Sequence, residues 1–191
     1  MQTGFYGVFT TVSACLIAGC AGYTSTVKLD ETPTAKDAYL YGRFYMENPP
    51  RNAFTGNPQT MGFAFKCADE NTYTIRFEPN NEVHVVKVAP STCSLTEFVY
   101  TDHGATKTTR KPVPDALKRD VAFEAGKAYY LGDFQAETTQ SGFPVITRTW
   151  RLKSARNEYS RTTAQMKIGY PNLSTLPTED RMIYRREPAS P

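Results

Sequence analysis

The sequence predicts a mainly β protein: a single antiparallel β-sandwich of about seven or eight strands with one short C-terminal helix. Apolar and polar residues alternate with a period of two in several segments, and those segments are rich in aromatic and β-branched residues. Clusters of Asn, Pro, Gly and Asp separate them, as in sandwich proteins. A helical period occurs in one stretch only, close to the C-terminus.

An apolar leader opens the chain of 191 residues. Residues 1–19 contain no charged side chain, and the apolar run over residues 5–18 has the length of a signal-peptide core but is too short to cross a bilayer. The leader lacks the Lys or Arg that usually precedes such a core. We nevertheless expect residues 1–19 to be a cleaved signal peptide, because Gly4, Gly7 and the Thr10-Thr11 pair make a poor core helix.

The leader ends in Leu16-Ile17-Ala18-Gly19-Cys20, which resembles the lipobox of bacterial lipoproteins. The resemblance implies cleavage before Cys20 and a thioether that joins its sulfur to diacylglycerol, with a further acyl chain holding the protein durably on a membrane. In that family an Asp after the cysteine favours the inner membrane. Ala21 stands there, which implies the periplasmic face of the outer membrane. Plain secretory cleavage without lipid is the alternative.

Four regions follow from this interpretation. After the signal peptide (1–19), residues 20–36 are polar and aperiodic, which is typical of a lipidated flexible tether. Residues 37–171 form the predicted β domain with its terminal helix, and residues 172–191 form a tail that carries Pro and Arg. The net charge of +3 is small and evenly spread, which argues against nucleic acid as a partner.

The cysteines fit an exported protein. Cys15 leaves with the leader and Cys20 takes the lipid, so Cys67 and Cys93 remain in an oxidising compartment, where a disulfide is favoured. The alternatives are two buried free thiols or a metal site. Neither cysteine has a CxxC partner or a nearby His, so we predict no metal ligand.

The first predicted strand spans residues 37–46 and separates two kinds of side chain. One face is apolar, with Leu40, Phe44 and Met46. The opposite face carries Tyr39, Tyr41, Arg43 and Tyr45. This second face is interpreted either as a second buried surface or as an aromatic and cationic binding surface.

The remaining strands follow in order, separated by turn residues. They are predicted at residues 61–67, 72–77, 83–88, 93–100, 120–123, 126–134 and 145–152. Residues 101–114 are polar and basic and are predicted to form a solvated loop.

A helix is predicted over residues 155–168. Tyr159, Thr163, Met166 and Tyr170 mark one helical face, and Pro171 prevents continuation. Because its residues are mediocre helix formers, its stability is expected to come from docking on the sandwich.

The run Ala125-Gly126-Lys127-Ala128-Tyr129-Tyr130-Leu131-Gly132-Asp133-Phe134 carries a second resemblance. Together with the lipobox and the terminal helix, it is similar to bacterial lipoproteins that combine a short tether with a small β-sandwich of transthyretin or prealbumin type. In such domains Gly126 allows a tight turn into the following strand. The resemblance implies no catalytic activity.

Residues for catalysis are scarce. After the leader, His84 and His103 are the two histidines; His84 lies in a Val-rich strand, and His103 follows Asp102, to which it is adjacent only in sequence. A hydrolase would depend on that pair. No Gly-rich phosphate loop is present. We therefore predict a non-enzyme with no catalytic residues and no cofactor besides the covalent lipid.

Two functions remain. The first is a structural or accessory module that docks an envelope protein. The second is a small-ligand or glycan-binding lipoprotein that uses Tyr39, Tyr41, Arg43 and Tyr45. The sequence leaves the oligomeric state open.

Overall fold

The computed structural model describes residues 24, 26–47, 59–102, 107–115, 118–141 and 147–183. Within them the protein is mainly β, with two sheets and one α-helix, as predicted. The strands are β1 (Ala38–Glu47), β2 (Gln59–Cys67), β3 (Thr72–Phe77), β4 (Asn80–Val88), β5 (Ser91–Asp102), β6 (Lys107–Pro112), β7 (Asp120–Phe123), β8 (Ala128–Ser141), β9 (Thr147–Arg156) and β10 (Thr178–Asp180). Helix α1 spans Tyr159–Gly169, and one 3-10 turn follows at Pro171–Leu173.

Each sheet contains five strands, and in each sheet two strands pair with different parts of the longest strand. In sheet I the order is β3-β2-β5, and β6 and β7 pair with different parts of β5. In sheet II the order is β4-β1-β8, and β9 and β10 pair with different parts of β8. The strands predicted at residues 61–67 and 72–77 form a hairpin, because β2 and β3 pair antiparallel with Met61 opposite Phe77.

The main core lies between the two sheets and is strongly aromatic. Phe63 of β2 contacts Phe134 of β8 with ring centroids 4.6 Å apart, and Phe123 of β7 lies 5.3 Å from Tyr129 of β8. These rings are buried, as are the apolar residues that alternate along β1 and β2. The period of two in the sequence therefore identifies the inward faces correctly.

The predicted strand number and the predicted strand direction both need correction. The described residues contain ten strands rather than seven or eight, because β6 lies within the predicted loop 101–114 and β10 lies within the predicted tail. Strand β8 runs parallel to both β1 and β10, so sheet II is mixed, whereas the pairs of sheet I are all antiparallel. The chain between β1 and β8 passes through sheet I, and such a long connection permits parallel pairing.

Helix α1 covers the outer face of sheet II and creates a second core. Its buried residues are Thr162, Thr163 and Met166, and Met166 packs with the tyrosines of β1 and β8. The helix begins at Tyr159, later than the predicted start at residue 155, because β9 continues to Arg156. Its end at Gly169, before Pro171, agrees with the prediction.

The fold begins before residue 37, within the segment 20–36 that was predicted to be a tether. The backbone N–H of Thr24 donates to the carbonyl of Thr74 at 2.8 Å, and that of Val27 donates to Val85 at 2.7 Å. Val27 is 4% exposed and belongs to the second core. The fold therefore includes the segment from residue 26, since backbone pairing with β4 needs no apolar period. Residues 1–23, and with them the leader and Cys20, lie outside the described residues.

The fold also extends past the predicted domain end at residue 171. Leu173 is buried, β10 pairs with the start of β8, and the backbone N–H of Ile183 donates to the carbonyl of Leu131 at 3.1 Å. The predicted tail is therefore part of the fold as far as residue 183. The reason is that β9 pairs with the later part of β8, so the first residues of β8 are left to pair with β10.

Candidate functional site

Cys67 and Cys93 form a disulfide, which confirms the predicted pairing. The two residues lie directly opposite each other in the antiparallel pair of β2 and β5, and both are buried. The bond closes a loop that contains β3 in sheet I and β4 in sheet II. It therefore ties together a segment that crosses between the sheets.

His84 is the histidine that lies among the described residues. His84 is 8% exposed, and its ring packs edge-on against Phe77. Burial lowers the pKa of His84, so the neutral imidazole is favoured. His103 lies outside the described residues. In the part of the chain that the structure covers, no three His, Cys, Asp or Glu residues are grouped as metal ligands, and no helix is long and apolar enough to cross a membrane.

Tyr39 and Tyr41, which were considered for a binding surface, are fully buried in the second core. The Tyr39 hydroxyl accepts a hydrogen bond from the backbone N–H of Thr34 at 2.8 Å, and the Tyr41 hydroxyl is hydrogen-bonded to Thr163 Oγ1 at 2.6 Å. Helix α1 and the segment before β1 cover the two rings. The interpretation as a second buried face is therefore correct at these two positions, and the binding surface is not.

Arg43 and Tyr45 lie further along β1 and line an open pocket of about 260 Å³. Strands β1, β8 and β9 and the start of α1 form its walls. Arg43 is 8% exposed; its Nε lies 3.1 Å from Asp133 Oδ2, and its Nη1 donates to Gln165 Oε1. Tyr45 is 44% exposed, so its ring is available to a ligand.

Asp133 anchors the inner side of this pocket. Its Oδ1 accepts hydrogen bonds from Thr162 Oγ1 at 2.9 Å and from the Tyr130 hydroxyl at 3.0 Å, while Arg43 approaches Oδ2. Burial raises the pKa of Asp133, and the hydrogen bond from Thr162 and the charge of Arg43 act in the opposite direction. Because both oxygens are engaged, the carboxylate holds Arg43 and α1 in place.

Two exposed arginines, Arg156 and Arg161, stand at the outer side of the pocket. Within the described part of the chain, neither guanidinium group makes an ion pair. The pocket lining contains these two arginines and Arg43 against the acidic Asp133 and Glu158, so basic groups are in excess by one. This arrangement can hold an anion, since a guanidinium group binds carboxylate or phosphate oxygens through paired N–H donors.

Sequence reasoning found Arg43 and Tyr45 but missed Asp133, Arg156 and Arg161. Asp133 could have been noticed as a charged residue within the apolar run of β8, next to Gly132. The two arginines flank the junction of β9 and α1, and a single sequence does not distinguish them from other surface arginines.

No family model, curated protein or solved structure matches this chain.

Proposed function

We propose that this chain is a lipid-anchored lipoprotein of the bacterial envelope whose β domain is a non-catalytic binding module. Cys20 carries the lipid and places the domain at the periplasmic face of the outer membrane. The two sheets form one β-sandwich, and the contact between Phe63 and Phe134 across the core supports this packing of the sheets. The transthyretin type is proposed from the resemblance of the run that begins at Ala125.

The pocket beside α1 is the observation that carries the proposal. It combines Arg156 and Arg161, which have no ion pair among the described residues, with the exposed ring of Tyr45. Arginines favour a carboxylate, and an amphipathic aromatic ring favours the flat face of a small ligand. We therefore favour the small-ligand function and assign the pocket to a compact carboxylate, such as the acidic sugar of a glycan.

A binding role also agrees with the state of the buried polar groups. Asp133, whose pKa is raised, is held by Thr162, Tyr130 and Arg43. A general acid or base needs an oxygen that can reach the substrate, and both oxygens of this carboxylate face protein donors.

The test is titration of the folded protein with galacturonate, and with galactose as the neutral control, by calorimetry or NMR. The double variant Arg156→Ala/Arg161→Ala is expected to weaken galacturonate binding at least tenfold. The matched control is Arg119→Ala, which removes an exposed arginine next to β7, on the other sheet. Equal binding of galactose and galacturonate, or equal affinity in all variants, would contradict the proposal.

Docking of an envelope protein, the other predicted function, stays a prediction. One observation favours it: among the described residues β6 pairs only with β5, so its outer edge is available to a strand of a partner. The test is crosslinking from a photoreactive residue at Thr109 in intact cells. A single crosslinked envelope protein, absent when the photoreactive residue is placed at Lys153 on sheet II, would support docking at β6.

A further inference from the structure

We propose that the groove containing Leu29 and Ile168 rests on the phospholipid surface when Cys20 is lipidated. The inference depends on the lipid anchor of the proposed function and assigns a membrane-facing side to the domain. The groove has a volume of about 400 Å³, and its apolar members include Val83 and Tyr170.

The first argument is the exposure of two aliphatic side chains at one place. Leu29 is 64% exposed and Ile168 is 80% exposed. The large hydrophobic residues that remain exposed in the described part of the chain are Leu29, Ile168 and Tyr45. Of these, Leu29 and Ile168 line this groove. Apolar groups collected on one surface are typical of a contact that removes them from water.

The second argument is the short length of chain between the lipid and the fold. Thr24, which pairs with Thr74, lies four residues after Cys20. An extended chain spans at most about 3.5 Å per residue, so the Cα of Thr24 lies within about 14 Å of the Cα of Cys20. The domain is therefore held against the bilayer surface.

The third argument is the course of the segment that leaves Thr24. It passes β4, where Val27 pairs with Val85, and then places Leu29 in the groove at the end of α1. Leu29 thus stands nine positions after Cys20, and the described residues of this stretch, 24 and 26–29, lie along the fold. The side of the domain that the N-terminal segment follows is the side that carries the exposed aliphatic residues.

The charges around the groove do not oppose contact with phospholipid. Lys28 and Lys167 neighbour the two aliphatic residues in sequence, Asp30 follows Leu29, and Glu82 lines the groove. The two lysines and the two acidic residues balance in charge, so the contact with the phospholipid surface comes from Leu29 and Ile168. The lysine side chains can extend toward lipid phosphates.

This orientation leaves the arginine pocket open. Arg161 lies near the start of α1 and Ile168 near its end, and a rise of 1.5 Å per residue separates them by about 10 Å along the helix. With Ile168 at the lipid surface, the pocket stays accessible from the periplasm.

The test places a fluorescent probe at residue 168 of the lipidated protein in vesicles of phosphatidylethanolamine and phosphatidylglycerol. With Cys20 lipidated and Cys67 bonded to Cys93, the cysteine of Ile168→Cys is a selective site for an environment-sensitive dye. The matched control is Lys118→Cys, an exposed position next to sheet I. Nitroxide-labelled lipids are expected to quench the probe at 168 at least twofold more than the probe at 118.

The outcomes are distinguishable. If the protein floats with the vesicles but both probes are quenched equally, the orientation is wrong while the anchor holds. A blue shift at 168 without vesicles would instead indicate a second copy on the groove, and it would also overturn the inference. If the wild-type protein carries no lipid and does not float, the proposed function fails and the inference fails with it.

Discussion

Gly42 of β1 lies close to the backbone of β8 in sheet II. A Cβ atom at this position would lie 2.6 Å from the backbone carbonyl oxygen of Gly132, which no side-chain movement can relieve. The register of β1 and β8 shifts at the same place, next to Tyr41. The two glycines therefore let the parallel strands pair across the irregularity.

We predict that Gly42→Ala lowers the free energy of unfolding by about 2–3 kcal/mol or more, because the backbone of β8 has to move. Denaturant unfolding measures the effect. Gly169→Ala is the control, since its Cβ would meet nothing within 4 Å at the end of α1; its stability should stay within about 1 kcal/mol of wild type. Equal losses in both variants would contradict this account of the strand contact.

His84 makes stability depend on pH. Burial lowers its pKa below that of the unfolded chain, and the nearby Glu78 and Glu82 oppose the shift only in part. The fold favours the neutral ring, so the contribution of His84 to the free energy of unfolding is complete above the unfolded pKa of about 6.5. It is lost as the pH falls from there toward the folded pKa.

The free energy of unfolding should therefore decrease between pH 7 and about pH 5, and His84→Gln should flatten the decrease. Denaturant midpoints at several pH values measure it. Asp133 changes the free energy of unfolding in the opposite direction with pH. Because its pKa is raised in the fold, its contribution to stability is lost as the pH rises. A His84→Gln protein with the same pH slope as wild type would rule out the role of His84.

Among the elements, helix α1 depends most clearly on its docking. The N-cap residue Glu158 makes no side-chain hydrogen bond to the first turn, which contains no acidic residue. The one local side-chain contact there comes from Asn157, whose Oδ1 accepts from the backbone N–H of Tyr159 at 3.1 Å. Its contact with the sheet runs through Met166, which is fully buried, and Thr163, which is hydrogen-bonded to Tyr41. Packing rather than local propensity therefore stabilises the helix.

We predict that Met166→Ala costs about 2–4 kcal/mol, the usual range for a buried methionine, because it leaves a cavity among the tyrosines. Ile168→Ala, two residues away and 80% exposed, should change the stability of the unlipidated protein by less than about 0.5 kcal/mol. Thermal and denaturant unfolding compare the two variants. Similar losses at both positions would show that propensity and not docking decides the stability of α1.

The disulfide acts on the segment that crosses between the sheets. The loop that it closes has a sequence separation of 26 residues, for which chain entropy predicts about 3 kcal/mol of stabilisation. Cys67→Ser/Cys93→Ser should lose that amount, and a reducing agent should lower the stability of wild type but not of the double variant. Wild-type stability that is the same with and without reductant would contradict the prediction.

For the molecule as a whole, the features that sequence could predict are those with a local pattern. Alternation placed Phe63 and Phe65 inward, and the expectation of an oxidising compartment favoured the pairing of Cys67 and Cys93. Gly126 was expected to allow a tight turn into the following strand, and it has a φ of 74° at the turn before β8. Each of these follows from neighbouring residues or from the compartment.

Features that depend on distant parts of the chain escaped prediction. Strand β10 is three residues long, has no apolar period and is held by backbone pairing with β8. The segment around Val27 joins β4 in the same way. The pocket combines Arg43 of β1 with Arg156 of β9 and Arg161 of α1, and only the tertiary fold brings these residues together.

The proposed lipid attachment at Cys20 would determine where the domain acts and which of its faces meets the membrane. Metabolic labelling with a fatty-acid analogue tests it most directly, with wild type and Cys20→Ser expressed at equal levels. The account predicts label in wild type and none in Cys20→Ser. Equal incorporation in the two proteins, or none in wild type, would contradict it.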